Sequence, residues 1–481
     1  MSAPARDDPR ARVRLPALGA LVLSLAGCAV GPNYTRPGAA VPDAYRGTPA
    51  GDATTGGAAA LGEQKWWEVF QDEQLRQLIA AALQQNWDAR IAATRVFQAR
   101  AQLGVTRADQ FPRLTGAAQA ARQRTAQSPG GPGGVSFPAF ETNLFEGSLS
   151  LAWELDFWGR FRRATEGARA SLLASEWGRQ AVLTTLVADV AGAYFQLREL
   201  DLELEISERT LRSRRESLEL VKSQEEQGAA SMLDVRQSEE LVFTAAAAIP
   251  DLERRIEQQE NFVSILLGQN PAPVPRGRPV TAQPHPPVVP AGLPASLLER
   301  RPDIRQAEQR LVAANAQIGV AKAAYFPQIT LTATGGYQST ALSSLFTGPA
   351  GMWAVAGGLT EPIFDAGRIR STVRLAEAQQ QEAVLVYQQT IQQAFREVSD
   401  GLVAYRKTRE FRLQQELLTQ SAQDAARLSE SRYRGGATSY LEVLDSDTRY
   451  LSAELSLAQA ELGELEALVQ LYRALGGGWQ L

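Results

Sequence analysis

The chain repeats its own landmarks at a spacing of 208 residues. Residues 155–162 match 363–370, 228–235 match 436–443, and 267–268 match 475–476, all at this one spacing. The pairs Phe111-Pro112 and Phe326-Pro327 are a further match with a slightly different spacing. Because separate landmarks rarely share a spacing by chance, the sequence indicates a tandem duplication. Whatever each half folds into, the molecule contains it twice.

Each half holds a long stretch without proline, at 160–227 and 368–434. Apolar residues recur there at alternating steps of three and four, which is typical of a coiled-coil seam. The first seam is Leu183, Leu186, Val190, Ala193, Leu197, Leu200, Leu204, Leu211 and Leu218, and the second is Val384, Tyr387, Ile391, Ala394 and Val398. A helix of about 67 residues is on the order of 100 Å long, too long for a compact domain.

Shorter helices are expected to return at 231–268 and 439–475, after turns at Gly228 and at Gly435-Gly436. Glycine adopts the backbone conformations that such turns need. Pro250 lies inside the first return helix and is expected to kink it. Each half therefore predicts one helical hairpin.

Before each long helix the sequence alternates between apolar and polar residues. In 145–155 and 329–334 every second residue is apolar or glycine, and the residues between them are polar or small. About ten such residues suit a transmembrane barrel strand with a water-filled lumen, although one segment alone fits a half-buried soluble hairpin equally well. Four strands per chain cannot close a barrel, so copies of the chain must complete it. Two copies would supply about eight strands and three about twelve, and the strand pattern does not choose between them.

The N-terminus has the features of a secretory signal. Four arginines precede the apolar run 15–25, and Leu25-Ala26-Gly27 leads into Cys28. This arrangement resembles the bacterial lipobox, in which the cysteine is acylated and becomes the first residue. Since Ala29, not aspartate, follows the cysteine, the comparison with bacterial lipoproteins favours sorting to the outer membrane. Beyond Leu25 no uninterrupted apolar run reaches the length of a spanning helix, so any membrane crossing by the mature chain is expected to use β-strands.

Composition excludes several classes of function. With one cysteine (Cys28) and one histidine (His285), the chain cannot form an internal disulfide or a Cys/His metal cluster. His285 lies between prolines, where a catalytic imidazole would be poorly held, and no pocket-forming α/β pattern accompanies the acids. The net charge of −4 predicts no nucleic-acid partner. We therefore expect no enzymatic activity, no metal and no cofactor apart from a covalent lipid on Cys28.

Linkers divide the chain into segments. The range 270–294 contains nine prolines and predicts a stiff, extended strap, and the Gly/Ala/Thr-rich range 47–62 predicts a flexible linker. The predicted organisation is listed here by residue range: signal peptide 1–27, lipid anchor and extension 28–62, first repeat 63–268, strap 269–296, second repeat 297–476 and tail 477–481.

Several of these runs together resemble the TolC-like outer-membrane factors, in particular the lipoprotein branch that serves resistance-nodulation-division efflux pumps. The matching runs are 28–34, Trp66-Trp67, 151–159, 297–304 and 362–367. The resemblance covers essentially the whole mature chain. It implies a mixed α and β fold, in which a homotrimer forms a 12-stranded transmembrane β-barrel. A long α-helical coiled-coil barrel would continue it into the periplasm, with a small mixed equatorial belt around the helices.

The resemblance also implies function and partners. It implies the exit duct of a tripartite efflux pump, lipid-anchored in the outer membrane, which receives small molecules from a periplasmic adaptor and an inner-membrane transporter. The family's gate segment corresponds here to Tyr433, Gly436, Glu442 and Asp445, and Asp234 corresponds to the hydrogen-bond partner of the gate tyrosine. Thr438 stands where the family often has arginine, so one polar contact of the gate is expected to be absent.

The hairpin tips are expected to receive the adaptor. Their residues are small and uncharged, and they are listed here: Gly228, Ala229, Ala230 and Ser231, then Gly436, Ala437, Thr438 and Ser439. Turn formation accounts for part of this composition. Under three-fold symmetry, Asp445 and Glu442 would form rings of like charge that attract cations.

Two alternatives share much of this pattern. A lipid-anchored periplasmic coiled-coil scaffold or adaptor would have the helices and the lipobox but no use for four barrel strands. An exit duct for type I protein secretion would have the same fold with a different cargo. The sequence does not name the cargo, the adaptor or the pump.

Overall fold

The computed structural model describes residues 29–46, 61–126, 139–284 and 294–479. Cys28, the signal segment and His285 lie outside these ranges. In chain order the regular elements are α1 (Trp66–Val69), α2 (Glu73–Gln85), α3 (Trp87–Ala108), β1 (Arg113–Arg124), β2 (Glu141–Leu155), α4 (Arg160–Glu226), α5 (Met232–Leu266), α6 (Pro294–Arg300), α7 (Pro302–Ala323), β3 (Gln328–Ser339), β4 (Gly351–Thr360), α8 (Arg368–Arg434) and α9 (Tyr440–Ala474). Short 3₁₀ turns lie at Leu61–Glu63, Val280–Ala282, Leu342–Ser344 and Gly348–Ala350.

The element bounds repeat with the sequence. The bounds of α8 and α9 follow those of α4 and α5 by 208 residues, and α7 and β3 follow α3 and β1 by 215 residues. The long helices expected at 160–227 and 368–434 and the return helices expected at 231–268 and 439–475 are confirmed. Helix α5 continues through Pro250, and the kink expected there stays a prediction. Most of the predicted seam is buried; Leu204 and Val384 are half-buried instead. The duplicated sequence therefore folds into duplicated elements.

The N-termini of the two long helices are capped in the same way. The Asp156 carboxylate accepts hydrogen bonds from the backbone N–H groups of Phe161 (3.0 Å) and Arg162 (2.8 Å). The Asp365 carboxylate accepts from the N–H of Ile369 at 2.8 Å. Such carboxylates satisfy N–H groups that a helix start leaves without a partner. Gly159 and Gly367, in the left-handed conformation at φ +81° and +84°, make the turn from strand to helix.

The first compact unit comprises the described residues of 1–37, 97–173 and 309–385. It contains one antiparallel sheet in the order β1-β2-β3-β4. The pairing register puts Leu151 opposite Ala333 and Trp153 opposite Leu331, so the apolar residues of neighbouring strands share a face. Ser150 lies opposite Thr334 on the other face. The alternation in the sequence therefore gives the sheet one apolar face and one face of polar or small residues.

The second unit comprises the described residues of 38–96, 174–308 and 386–481. It contains most of the two hairpins and the described part of the proline-rich strap. The buried Asp72 carboxylate accepts hydrogen bonds from the Tyr194 hydroxyl (3.1 Å), the Arg278 N–H (2.9 Å) and the Gln283 side-chain amide (2.9 Å). These bonds fix residues 270–284 of the strap to α4, although this segment has no regular element other than the short 3₁₀ turn at Val280–Ala282. Helix α6 starts at Pro294, inside the predicted strap, because proline suits the first turn of a helix.

Both units draw residues from both repeats, because each repeat supplies two strands to the first unit and one hairpin to the second. The division into repeats and the division into compact units therefore cut the chain at different places. The predicted boundaries at 62, 268, 296 and 476 stay predictions.

Candidate gate at the hairpin tips

The two hairpin tips are built alike. Gly228 and Gly436 have φ of +74° and +70°, a conformation that glycine adopts without strain. The Ala229 N–H donates to the Gln224 carbonyl at 2.7 Å, and the Ala437 N–H donates to the Arg432 carbonyl at 2.8 Å. These bonds satisfy the last carbonyls of α4 and α8. The tip residues are exposed, apart from Ala230 and Thr438, which are half-buried.

The second helices of the hairpins start differently. Ser231 and Asp234 form a capping box, in which the Ser231 N–H donates to the Asp234 carboxylate at 2.8 Å and the Asp234 N–H donates to the Ser231 hydroxyl at 3.3 Å. Ser439 occupies the equivalent position in the second repeat and makes no side-chain cap bond. There the Glu442 carboxylate is hydrogen bonded by the Thr438 hydroxyl instead.

Tyr433 does not bond to Asp234, the partner that the resemblance implied. Its hydroxyl donates to the Gln224 side-chain oxygen on α4 at 2.7 Å, while the Asp234 carboxylate is occupied by the capping box with Ser231. Burial, with a smaller contribution from the nearby Asp234 charge, raises the pKa of Tyr433. The Tyr433 hydroxyl thus joins the second hairpin to the first through Gln224 instead of Asp234, and its role in a gate stays a prediction.

A second contact between hairpins lies directly behind the tyrosine. The rings of Tyr433 and Tyr440 are 5.2 Å apart, and the hydroxyls of Tyr440 and Ser238 are hydrogen bonded at 2.8 Å. Tyr440 is buried in an apolar cluster with Val221, Val235 and other residues of α4 and α5. The polar atoms of this contact are satisfied inside an apolar surround, so each bond is shielded from water.

Arg214 makes a buried cross-repeat contact that the sequence did not reveal. Its side chain is only 6% exposed, and it donates to the Asp447 carboxylate on α9 and to the Leu241 carbonyl on α5, both at 3.1 Å. A single arginine on a long polar helix gives no pattern that marks it as buried. The cost of removing its charge from water is offset by these bonds.

The two carboxylates of the predicted gate each have an arginine partner. Asp445 accepts from Arg449 at 2.9 Å, and Glu442 accepts from Arg432 at 2.8 Å; all four side chains are exposed. Within one chain both carboxylates are therefore members of ion pairs, and the rings of like charge expected under three-fold symmetry stay a prediction. The ion pair of Asp445 and Arg449 could have been predicted from the sequence, because oppositely charged side chains four residues apart on a helix are neighbours.

A cavity of about 510 Å³ lies between the two hairpins near their tips. Its lining includes Arg214, Tyr440, Asp447, Gln423 and Tyr450. In the ranges with a described structure, no group of three or more His, Cys, Asp or Glu side chains is placed to hold a metal ion. None of the described helices combines the length and the hydropathy of a membrane-spanning helix.

These hairpins and the sheet occur together in a known family. The family model described as outer membrane efflux protein matches residues 78–269 and 293–477. The chain belongs to this family. Its fold class, its function as an efflux channel and its localisation in the outer membrane are thereby confirmed.

Individual relatives cover almost the whole chain. The probable efflux pump outer membrane protein TtgC of Pseudomonas putida is 40% identical over 460 residues, which are 95% of this chain and 93% of that protein. The cation efflux system protein CusC of Escherichia coli is 35% identical over 461 residues, 96% of this chain and 98% of that one.

Solved structures agree with the fold. The outer-membrane channel OprN matches with a TM-score of 0.86 at 33% identity, covering 94% of this chain and 100% of that chain. The open state of the MtrE outer membrane channel of Neisseria gonorrhoeae matches with a TM-score of 0.84 at 31% identity, covering 94% and 99%. The gate residues, the tip residues and the lipid on Cys28 stay predictions.

Proposed function

We propose that this chain is the exit duct of a tripartite efflux pump, and that three copies form one channel. In this proposal a periplasmic adaptor joins the duct to an inner-membrane transporter, and small molecules leave through the lumen. The observation that carries the proposal is the two-faced sheet in a chain that also folds two long helical hairpins. Family membership supports the same reading.

The sheet has the surface of a membrane channel wall. On its apolar face Leu149 and Trp353 are 58% and 82% exposed, and the opposite face carries serine, threonine and small residues. A soluble sheet buries its apolar face, whereas a barrel strand turns it to lipid. Lipid around this sheet would cover these side chains.

The sheet also has two unpaired edges, at β1 and β4. Unpaired backbone groups are costly in hydrocarbon, so the edges must meet other strands. Cyclic symmetry joins β4 of one copy to β1 of the next, and three copies then supply about twelve strands with a lumen wide enough for solutes. An isolated coiled-coil scaffold gives no role to these edges.

The residues after Cys28 support a lipid anchor near the membrane end of the chain. The Val30 N–H donates to the Trp158 carbonyl at 3.0 Å, and Arg163 donates to the Asn33 side chain at 2.7 Å. Trp158 follows the last residue of β2 by three positions. An acyl chain on Cys28 would therefore start beside the end of a membrane strand.

The tips support a gate that a partner opens. Cross-repeat bonds of Tyr433, Tyr440 and Arg214 hold the hairpins together behind exposed, small tip residues. Small side chains let a partner helix approach the backbone at Ala229 and Ala437.

The names of relatives include toluene, antibiotic and cation efflux, which favours small molecules over secreted proteins as cargo.

Single-channel recording in planar bilayers tests the proposal. We expect cation-preferring currents, and we expect Asp445→Asn to lower the cation preference because the substitution leaves Arg449 without its partner beside the pore. Asp400→Asn is the matched control, because Asp400 forms an exposed pair with Arg396 on α8. Purified protein that is monomeric in detergent and passes no current would contradict the channel, and an unchanged D445N record would contradict the pore position of Asp445.

A further inference from the structure

The apolar face of the sheet ends in basic side chains on β1. Arg122 and Arg124 lie on the same face as Leu114, because side chains two residues apart on a strand point to the same side. The pairing register places Asn143 opposite Arg122 and Glu141 opposite Arg124. All four of these residues are exposed. The face that the proposed function turns to lipid therefore carries two arginines at one end.

These arginines lie at the end of the sheet that faces away from the periplasm. Strand β2 begins at Glu141, beside them, and ends at Leu155, shortly before α4 begins at Arg160. Because the helices of this family extend into the periplasm, the opposite end of the sheet is the outer one. The outer leaflet of an outer membrane contains lipopolysaccharide, a glycolipid whose sugar headgroup carries phosphate esters. The arginines thus lie on the side of that leaflet.

The distance along β2 places the arginines at the depth of lipid headgroups. On the apolar face, Phe145 and Leu155 are separated by ten residue steps, which at about 3.3 Å each and a strand tilt of about 40° span about 25 Å across the membrane. This is the usual height of the apolar band of an outer-membrane barrel. Asn143 and Glu141 lie two and four steps further, and their strand partners are the two arginines. Their backbone positions are therefore about 5 to 10 Å beyond the apolar band.

Aromatic side chains mark the same boundary. Phe145 on β2 lies on the apolar face at its arginine end, and so does Tyr337 on β3, which pairs with Gly147. The ring of Tyr337 contacts that of Phe346, with ring centres 5.6 Å apart, and Phe346 is largely exposed. Aromatic residues concentrate where hydrocarbon meets headgroups. These rings therefore separate the apolar band from the basic residues beyond it.

The two guanidinium groups keep donors available for a ligand. The Arg122 Nη2 group donates to the Glu141 carboxylate at 2.6 Å, which occupies only part of a guanidinium with five N–H donors. The Arg124 side chain forms no ion pair or hydrogen bond with any residue that the structure describes. One carboxylate beside two guanidinium groups leaves a net positive charge. This charge favours an anionic ligand.

The second repeat shows that a strand of this kind folds without arginines. By the shift of 215 residues, Arg122 and Arg124 correspond to Tyr337 and Ser339. Strand β3 has the same length as β1 and contains no basic residue. The ladder of hydrogen bonds therefore does not require the two arginines. A basic residue on the lipid face is unfavourable unless it reaches polar groups near the membrane surface, and a phosphate is the polar group that arginine matches best.

We propose that Arg122 and Arg124 bind the headgroup phosphates of lipopolysaccharide, whose acyl chains lie along the apolar face of the sheet. Each guanidinium can donate two parallel hydrogen bonds to one phosphate group, and the exposed Asn143 amide lies beside them as a further donor. This inference rests on the proposed membrane wall and goes beyond it, because it names the class of lipid and the residues that hold it.

Lipid binding to the purified full-length protein tests the site. Native mass spectrometry from detergent measures the binding of lipid A with both phosphates, of the same lipid A after its phosphates are removed, and of phosphatidylglycerol. We expect the phosphorylated lipid A to bind most tightly. We expect Arg122→Gln combined with Arg124→Gln to weaken its binding about tenfold or more, the effect of losing at least one charge-assisted hydrogen bond. The affinity of the wild type should also fall more steeply with added salt than that of the variant.

The same strand supplies the matched control. Arg113→Gln removes an equal charge from β1, but Arg113 lies opposite Ala152 on the other face, so this variant should bind lipid A like the wild type. Arg124→Gln alone breaks no ion pair with a described residue, so its loss of affinity reports the site and not the bond between Arg122 and Glu141. Variants are compared only when they keep the wild-type mass in detergent and the wild-type conductance.

The outcomes separate the lipid site from the duct. Equal affinities of the wild type and the double variant, or of lipid A with and without its phosphates, overturn the site. Equal binding of phosphatidylglycerol overturns the assignment to the outer-leaflet glycolipid. Either result in protein that conducts normally leaves the proposed duct standing, whereas wild-type protein that passes no current and retains no lipid contradicts the duct and the site together.

Discussion

Glu199 and Glu203 lie one helical turn apart on α4, and both side chains are buried, at 3% and 5% exposed. The Glu203 carboxylate accepts from Gln459 on α9 at 3.1 Å and from Arg255 on α5 at 3.3 Å. Burial, and then the hydrogen bond and charge of Glu203, raise the pKa of Glu199 to about 8. Glu466 adds a second negative charge nearby and Arg255 opposes it. Glu199 therefore keeps its proton at neutral pH.

This pair should make stability depend on pH. The pKa of Glu199 is higher in the folded chain than the ordinary value of 4.5, so the folded state holds a proton that the unfolded state releases. The stabilising contribution is full below about 4.5 and is lost as the pH rises through about 8. We expect Glu199→Gln, which is neutral at every pH, to raise the apparent melting temperature by several degrees at pH 9 and to leave it near wild type at pH 5.

Circular dichroism at a fixed scan rate measures this effect on the helices. Glu205→Gln, an exposed acid on the same helix, serves as the control and should shift neither value. Equal shifts for E199Q at pH 5 and pH 9 would show that the carboxyl does not titrate in this range.

At the scale of elements, the sequence determined the hairpins and the strands but not their partners. Two stretches free of proline and a strict repeat suffice to place α4, α5, α8 and α9, since local backbone preferences and apolar spacing fix a helix. The acceptor chosen by Tyr433 depends on how the helices are rotated about their axes, which no local pattern records. The Ser-x-x-Asp motif of Ser231 and Asp234 predicts a capping box from the sequence alone. That motif would have indicated that the Asp234 carboxylate bonds to Ser231 and not to Tyr433.

The unequal caps of the two hairpins give a matched pair of substitutions. Ser231→Ala removes a cap bond from the start of α5 and should destabilise its first turn by about 1 kcal/mol. Ser439→Ala removes no such bond from α9 and should have a much smaller effect. Amide hydrogen-exchange rates in residues 232–235 and 440–443 measure the stability of the first turns of α5 and α9 separately. We expect about fivefold faster exchange in S231A; similar rates in both variants would mean that the box does not hold the tip.

At the scale of the whole molecule, duplication explains why so much of the fold was predictable and why the contacts at the hairpin tips were not. The two repeats supply equal elements, so reading one half predicts the other. The contacts that join the two repeats are not themselves repeated in the sequence. The first repeat contributes Gln224, Arg214 and Ser238, which bond to Tyr433, Asp447 and Tyr440 of the second repeat. These contacts join positions more than 200 residues apart, and a single sequence carries no signal for them. The residues that tie the repeats together are thus where the structure adds most.

Substitution of Arg214 tests whether its bonds hold the hairpins of the two repeats together. Arg214→Met keeps the apolar stem in its buried site but removes the bonds to Asp447 and to the Leu241 carbonyl, and Asp447 is exposed enough to regain water. The lost contact is worth about 1–3 kcal/mol, and in the proposed gate such a loss would shift a closed tip towards open states. We expect R214M channels to open more often in planar bilayers at a given voltage. Arg427→Met, which removes an exposed pair with Asp424 on one helix, should leave the openings unchanged. If R214M gates like the wild type, the closed state is held elsewhere, and the Tyr433 and Tyr440 contacts become the next positions to substitute.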